Sequence, residues 1–325
     1  MKLIVQIPCL NEEATLPETL RAVPRSIPGI DVVEILVIDD GSTDRTAEVA
    51  RAHGADHVVR FTRRKGLAAG FMAGLDASLR LGADIIVNTD ADHQYPGHEI
   101  PNLVAPILRG EADMVVGDRV VQEVAHFSWT KRQLQSVGSW VVRKVSNTTV
   151  ADATSGFRAL TREAALRINI VSEFTYTLES IIQAGKKRMA VAHLPITTRQ
   201  TRPSRLFSST WEYVKRSGAT ILRIYAMYEP FKVFVLLGTM LLLAGVAFGL
   251  RYVYFHWWLR ELGGHLQSAL LSVLLLILGF QTLQWGVMAD LVANNRKLLE
   301  DLLYRVRKME LGDDAPSGRR SRRDG

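Results

Sequence analysis

Two long stretches without a charged residue, Val233 to Leu250 and Leu266 to Ala289, constrain this chain more than any other feature. As helices, both are long enough to cross a hydrocarbon layer about 30 Å thick. A helix of that length in a soluble core normally carries charge on its outer face. The pair is therefore expected to form two transmembrane helices. The segment between them, roughly Tyr252 to His265, holds Trp257 and Trp258, a residue type that gathers at membrane–water interfaces. Basic residues collect on the other flanks: Lys215, Arg216, Arg223 and Lys232 before the first stretch, and Arg296, Lys297, Arg305, Arg307 and Lys308 after the second. The positive-inside bias then places both termini in the cytoplasm.

The part before the spans reads as a soluble domain. Short apolar runs alternate with helical patterns: Leu3 to Cys9, Val33 to Ile38, His57 to Phe61, Asp84 to Val87 and Met114 to Val116 as strands, with Thr15 to Val23, Thr43 to His53, Leu67 to Leu81 and Ile100 to Arg109 as helices between them. That order predicts an α/β fold, a mostly parallel sheet with helices on both faces. Arg162 to Ile168 and Thr177 to Ala184 follow as helices and Met189 to Ile196 as a strand. Leu206 to Tyr228 has the basic amphipathic pattern of a helix lying in the membrane interface. The expected organisation is a catalytic domain over 1–205, an interfacial helix over 206–229, a two-helix membrane hairpin over 230–290, and a basic cytoplasmic helix and tail over 291–325.

The net charge of +7 suits anionic lipid or a phosphate-bearing substrate. No zinc-finger spacing or RNA-binding aromatic signature is present, so nucleic acid is not an expected partner. With Cys9 as the only cysteine, no intrachain disulfide can form. Met1 to Glu13 is too short and too soon acidic for a signal peptide, which keeps the expected catalytic domain cytoplasmic.

In a parallel sheet, ligands bind beyond the carboxyl ends of the strands. Acidic pairs stand at that end of two predicted strands: Asp39-Asp40, and Asp90-Ala91-Asp92 followed by His93-Gln94. Carboxylates at i and i+2 past a strand suit one hard divalent cation, Mg2+ or Mn2+, whose remaining ligands come from substrate phosphates. Gln94 offers a further neutral oxygen. A carboxylate at a rigid strand end, such as Asp39, can accept hydrogen bonds from a ligand's N–H or O–H groups.

Pro8-Cys9-Leu10-Asn11-Glu12 after the first strand, Asp39-Asp40-Gly41-Ser42 after the second, and the acidic loop after the fourth occur in the order found in the family 2 glycosyltransferases of the GT-A fold, which residues 1 to about 210 resemble. The resemblance implies a nucleotide-sugar donor. Pro8, Leu10, Glu12 and Asp39 would lie around its nucleoside, Lys65 of the Arg63-Arg64-Lys65-Gly66 loop and Ala91 beside it, and Asp90, Asp92 and Gln94 at the metal. Later motifs resemble the polyprenyl-phosphate branch, similar to dolichol-phosphate mannose synthase and undecaprenyl-phosphate sugar transferases. By that likeness Arg119, Arg132 and Ser136 would bind the acceptor phosphate. The loop Asp152 to Arg158 would line the donor sugar, and Arg205 would close over the pyrophosphate. On a helix, Arg132 and Ser136 at i and i+4 face one way. Three positions depart from the family pattern: Leu10 where an aromatic is frequent, Pro203 where glycine is, and Arg205 where lysine is.

The expected reaction is inverting transfer of a UDP- or GDP-linked sugar to a polyprenyl phosphate, catalysed by Asp90, Asp92 and Arg119. A phosphate monoester has a second pKa of about 6, so the acceptor arrives as a dianion and needs no protein base. Alternatives are another membrane or cell-envelope acceptor, or an inactive scaffold of the same fold. A processive polysaccharide synthase would carry more spans and a Gln-x-x-Arg-Trp motif, and neither is found. Gln267, Gln281 and Gln284 in the second span favour a homo-oligomer through the transmembrane helices.

Overall fold

The computed structural model describes residues 1–119, 140, 142–144, 146–150, 152–171, 176–198, 228–258 and 266–312. Arg132, Ser136, Arg205 and residues 206–227 of the expected interfacial helix lie outside the described residues, as does the tail from 313. The chain divides into two compact units, Met1–Gly218 with Leu303–Gly325, and Ala219–Leu302.

In the first unit, β1 (Lys2–Cys9), α1 (Leu16–Ala22), β2 (Val32–Asp39), α2 (Thr46–Ala52), β3 (His57–Arg60), α3 (Leu67–Arg80), β4 (Ile85–Asn88), α4 (Ile100–Leu108) and β5 (Met114–Asp118) follow one another. Then come β6 (Arg158–Thr161), α5 (Arg162–Arg167), α6 (Thr177–Lys186) and β7 (Val191–Pro195). The seven strands form one sheet in the order β3-β2-β1-β4-β6-β5-β7. β1 pairs in parallel with β2 and β4, β2 with β3, and β5 with β7. Only β6 runs the other way, between β4 and β5.

Strands buried on both faces explain the continuous apolar runs. Leu3, Val5 and Ile7 face a core shared with Leu16 and Leu20 of α1 and Leu103, Val104 and Ile107 of α4. On the other face, fully buried Ile4 and Ile38 share the sheet's α3 side with Phe71 and Leu75. α2 begins at Thr46, three residues later than the predicted helix. The Asp44 carboxylate accepts the Thr46 N–H at 3.0 Å, and the Asn11 side chain accepts the Thr43 N–H at 2.9 Å, which holds 43–45 in a turn.

The reversal at β6 positions the site. β6 is antiparallel, so the chain enters it at the edge of the sheet where its parallel neighbours end; Arg158 stands opposite both Asn88 and Val116. The loop 152–157 is thereby delivered to the carboxyl end of β4.

The second unit holds α7 (Pro230–Val253), a π-helical turn at Tyr254–Trp258, and α8 from Leu266. Both helices are long and apolar enough to cross a membrane. The predicted second span and the predicted separate C-terminal helix are one continuous helix, α8, of 45 residues ending at Glu310. Neither Pro nor Gly stands between Met288 and Met309 to interrupt it. Small residues let α7 and α8 approach: a Cβ on Gly279 would sit 3.0 Å from the Gly238 carbonyl oxygen, and Ser272 donates to the Gly245 carbonyl at 2.7 Å. Within the first unit, the last turns of α8 meet α5, where Tyr304 donates to Glu163 at 2.8 Å.

Gly97, just past the acidic loop, touches the backbone of α1: a Cβ there would lie 1.9 Å from the Ala22 carbonyl oxygen. Backbone cannot yield as a side-chain tip can. Gly97→Ala is expected to lower stability by about 1–3 kcal/mol, read as a drop in thermal midpoint in detergent; an unchanged midpoint would contradict this packing.

Candidate active site

The loops after β1 and β2 are tied together by short-range polar contacts. Asn11 takes a left-handed backbone (φ 54°), its N–H donates to Ser42 Oγ at 2.9 Å, and the Glu12 N–H donates to Thr46 Oγ1 at 2.9 Å. Asp39 is fully buried at the end of β2. Its Oδ1 accepts the Ser42 N–H at 2.8 Å. Arg60 Nε approaches Oδ2 at 3.1 Å, yet among the described residues that buried oxygen accepts no hydrogen bond. A buried carboxylate oxygen in that condition is a receptor for a ligand N–H or O–H.

Asp40 does something the sequence did not reveal. One of its oxygens accepts the Lys65 N–H at 2.6 Å and the other the Gly66 N–H at 2.9 Å. The 63–66 loop is thus pinned over the β2 turn. Gly41 (φ 72°) makes room for it, since a Cβ there would fall 2.6 Å from the Arg63 carbonyl carbon. The Lys65 side chain is exposed and its Nζ lies 4.5 Å from the centre of the Phe61 ring.

The acidic loop leaves β4 at Asn88. The Ala91 carbonyl accepts from Thr19 Oγ1 of α1 at 3.0 Å, and Asp92 accepts the Gln94 N–H at 3.1 Å. His93 is buried with a left-handed backbone (φ 58°), its Nε2 3.3 Å from Glu18. Asp90 rests against Gly156: a Cβ on that glycine would come within 2.9 and 3.0 Å of its two oxygens. Burial pushes the Asp90 carboxyl up to about 7; Asp92 adds to the rise, while Arg119 and Arg158 oppose it.

Beneath Asp90 lies a buried polar scaffold. The Gly156 N–H donates to Tyr95 Oη at 3.2 Å. The Gly156 carbonyl accepts from Asn88 Nδ2 at 2.8 Å, which also donates to Tyr176 Oη at 2.8 Å. Gln6, the cross-strand partner of Asn88, donates to Asn88 Oδ1 at 2.9 Å. Arg158 is fully buried and donates to the carbonyls of Ala153, Ser155 and Thr177. Burial lowers its pKa to about 10, which leaves it charged at neutral pH. Arg119 donates to Asp152 through Nε (2.6 Å) and Nη2 (3.1 Å), and to Thr154 Oγ1 at 2.6 Å. Burial raises Asp152, but Arg119 outweighs it and the carboxyl stays below its usual range.

Of the residues singled out from sequence, Pro8, Leu10, Glu12, Asp39, Lys65, Asp90, Ala91, Asp92, Gln94 and Arg119 all lie on the loops or strand ends at this one edge of the sheet. Glu12, Asp39 and Ala91 are buried, Leu10, Asp92, Gln94 and Arg119 half-buried. Asp40, Asn88, Tyr95, Tyr176 and the clamp of Arg119 on Asp152 were not foreseen as parts of the site. The available signal was polarity in the wrong place: Gln6 and Asn88 interrupt runs that are otherwise apolar. Cys9 is no nucleophile, because burial and then Asp39 push its thiol well above the ordinary range.

The donor set fits a hard divalent cation. Two adjacent carboxylates, one with its pKa lifted, gain from a shared positive charge. Among the described residues no group of three or more His, Cys, Asp or Glu stands close enough together to hold a metal ion by itself. A cation here would be held by Asp90 and Asp92 and completed by ligand oxygens.

Residues 4–168 match the family profile described as Glycosyl transferase family 2, and the chain belongs to that family. An uncharacterized glycosyltransferase of Mycobacterium tuberculosis is 34% identical over 194 residues, 59% of this chain and 83% of that protein. Polyprenol monophosphomannose synthase of Mycolicibacterium smegmatis is 31% identical over 60% of this chain and 76% of its own length. Undecaprenyl-phosphate mannosyltransferase of Micrococcus luteus is 27% identical over 61% and 83%. Among solved structures, glucosyl-3-phosphoglycerate synthase of M. tuberculosis with Mn2+, UDP and glucosyl-3-phosphoglycerate superimposes with a TM-score of 0.53 at 25% identity, covering 69% of this chain and 78% of that one. A further complex of that enzyme, with Mn2+, UDP and phosphoglyceric acid, has a TM-score of 0.55 at 21% identity, covering 69% and 77%.

Asp40→Ala should release the Lys65 and Gly66 amides, whose bonds to a charged acceptor are each worth about 1.5–3 kcal/mol. Their hydrogen exchange is expected to accelerate at least about tenfold; exchange unchanged from wild type would remove Asp40 as the anchor of that loop.

Proposed function

We propose that this chain transfers a sugar from a nucleoside-diphosphate donor to a polyprenyl phosphate at the cytoplasmic face of a membrane, with Mg2+ or Mn2+ bound at Asp90 and Asp92. The single observation that carries this reading is the packing of the Asp90 carboxylate, with Asp92 near enough to raise its pKa, against Gly156 of loop 152–157, on the edge of the sheet where a buried Asp39 oxygen accepts no hydrogen bond among the described residues. The Mn2+ and UDP in the complexes of the M. tuberculosis enzyme support a metal and a nucleotide donor. The names of the M. smegmatis and M. luteus relatives support a polyprenyl-phosphate acceptor.

In this reading Pro8, Leu10, Glu12 and Asp39 receive the nucleoside, with Asp39 Oδ2 accepting from the base or ribose. Lys65 meets donor phosphate from the loop that Asp40 holds, and Ala91 lines the path between nucleoside and metal. Arg205 closes over the pyrophosphate. A cation held by Asp90 and Asp92 would neutralise charge on the departing diphosphate. An acceptor phosphate oxygen bonds to the anomeric carbon as the bond to the diphosphate oxygen breaks, with inversion. No protein base is required, because the acceptor is already a dianion. Arg119, fixed by Asp152, holds a positive charge beside Asp90, and with Arg132 and Ser136 it draws the acceptor phosphate against the repulsion of the donor.

The membrane organisation belongs to the same proposal. Residues 1–205 form the catalytic domain, 206–229 lie in the interface, α7 and α8 cross the bilayer, and both termini are cytoplasmic. Lys232, Arg296 and Lys297 at the ends of the spans match that orientation.

A panel of radiolabelled UDP- and GDP-hexoses, incubated with membranes containing the protein, tests the reaction. Label is expected in an organic-extractable, acid-labile lipid, lost with chelator and restored by Mn2+ or Mg2+; transfer indifferent to chelator would exclude the metal role. Asp92→Asn should abolish transfer, by at least about 100-fold, with an unchanged circular dichroism spectrum, and normal turnover of that variant would contradict the assignment. Arg132→Ala should raise KM for the lipid acceptor more than for the donor; equal effects on both would take Arg132 out of the acceptor site.

A further inference from the structure

α8 is too long for a membrane alone. Its 45 residues extend roughly 67 Å, about twice the hydrocarbon thickness. One face is used within the chain: Ser272, Gly279 and Gly286, spaced by seven, are buried against α7, and further along Arg296 donates to Tyr228 at 2.8 Å.

The opposite face carries a different seven-residue repeat. Leu274, Gln281, Met288, Asn295 and Leu302 form one row, and Leu270, Ile277, Gln284, Leu291 and Leu298 form a second row four residues behind the first. All ten side chains are exposed. Rows offset by three and four with a period of seven are the a and d positions of a left-handed coiled coil. The repeat runs without a stutter through the apolar stretch and past its end at Ala289.

Each half of this stripe meets the wrong solvent in a lone chain. Gln281 and Gln284 stand inside the uncharged stretch, where an amide facing lipid tails lacks partners. Beyond it, Leu291, Leu298 and Leu302 are 56%, 65% and 57% exposed in a segment that also contains Arg296, Lys297, Glu300 and Asp301, and so belongs in water. A second copy of the same helix resolves both at once. Copies inserted in the same orientation are parallel, so each row meets itself: amide against amide in the bilayer, leucine against leucine outside it. Asn295 at an a position among leucines sets register in such a pair, as a buried polar residue does in other parallel coils. α7 occupies the far face and does not obstruct it.

We infer that two copies of this chain associate through a parallel coiled coil of α8, continuous from the bilayer into the aqueous phase, with Gln281, Gln284 and Asn295 in its core. This rests on the reading that α7 and α8 cross a membrane.

Single cysteines placed at successive positions from Met288 to Leu302, in the full-length protein in native membranes, test the inference. The wild-type chain, whose lone Cys9 is buried, serves as the control. After mild oxidation, covalent dimer is expected at 288, 291, 295, 298 and 302, and less than about a tenth as much at 293, 296 and 300, which face α7's side. Leu291→Asp with Leu298→Asp should convert the protein in lipid nanodiscs from dimer to monomer by native mass. Crosslinking without a 3.5-residue period, or a dimer that survives the double substitution, would overturn the coiled coil and leave the membrane reading standing. Release of the chain from membranes by alkaline carbonate would overturn both.

Discussion

The catalytic half of this structure is arranged around a repulsion. Asp90 and Asp92 are two residues apart at the end of a buried strand, and the first, half-buried, rests against the peptide of Gly156. Folding places this pair there at a cost, and the neighbouring groups show how it is tolerated. Arg119 and Arg158 supply positive charge from the far side of the 152–157 loop. Asn88, Tyr95 and Tyr176 fix the Gly156 peptide that the carboxylate leans on. The two arginines donate to Asp152, Thr154, Ser180 and backbone carbonyls. Two carboxylates so close together would gain from a shared divalent cation.

This explains why a single antiparallel strand matters so much. Without β6 the loop 152–157 would have no reason to stand at the carboxyl edge of β4. Its reversal puts Arg158 opposite Asn88, so the strand that launches the acidic loop and the strand that follows loop 152–157 share one register. On the nucleotide side, Asp40 binds the 63–66 loop to the β2 turn while its neighbour Asp39 points inward. Of the two adjacent aspartates, Asp40 is thus structural, while Asp39 keeps a buried oxygen that accepts no hydrogen bond among the described residues.

Most of the fold was legible because the parallel strands are buried on both faces and appear as short apolar runs between helical patterns. Each predicted strand from Leu3 to Met114 is present, with ends shifted by one or two residues. β6 was not legible. Its four residues, Arg158 to Thr161, begin with a charge and end with a hydroxyl, and the arginine is buried only because three carbonyls converge on it. The site was legible where motifs carry it, at Asp39, Asp90 and Asp92, and not where it depends on long-range pairing, as at Asn88 with Gly156 or Arg119 with Asp152. In the second unit the two long apolar helices were legible from missing charge. The continuity of α8 was not, since a change from apolar to mixed composition at Ala289 looks like a boundary although nothing in the backbone chemistry ends a helix there.

If Asp90 and Asp92 hold a cation together with the diphosphate of the donor, binding shows it more directly than turnover. Mn2+ titrated into the purified full-length protein with UDP present, followed by the loss of the free Mn2+ paramagnetic resonance signal, should show one site per chain. That site should weaken by at least about 100-fold in Asp90→Asn and in Asp92→Asn. Mn2+ binding of equal strength in wild type and both variants would contradict the account.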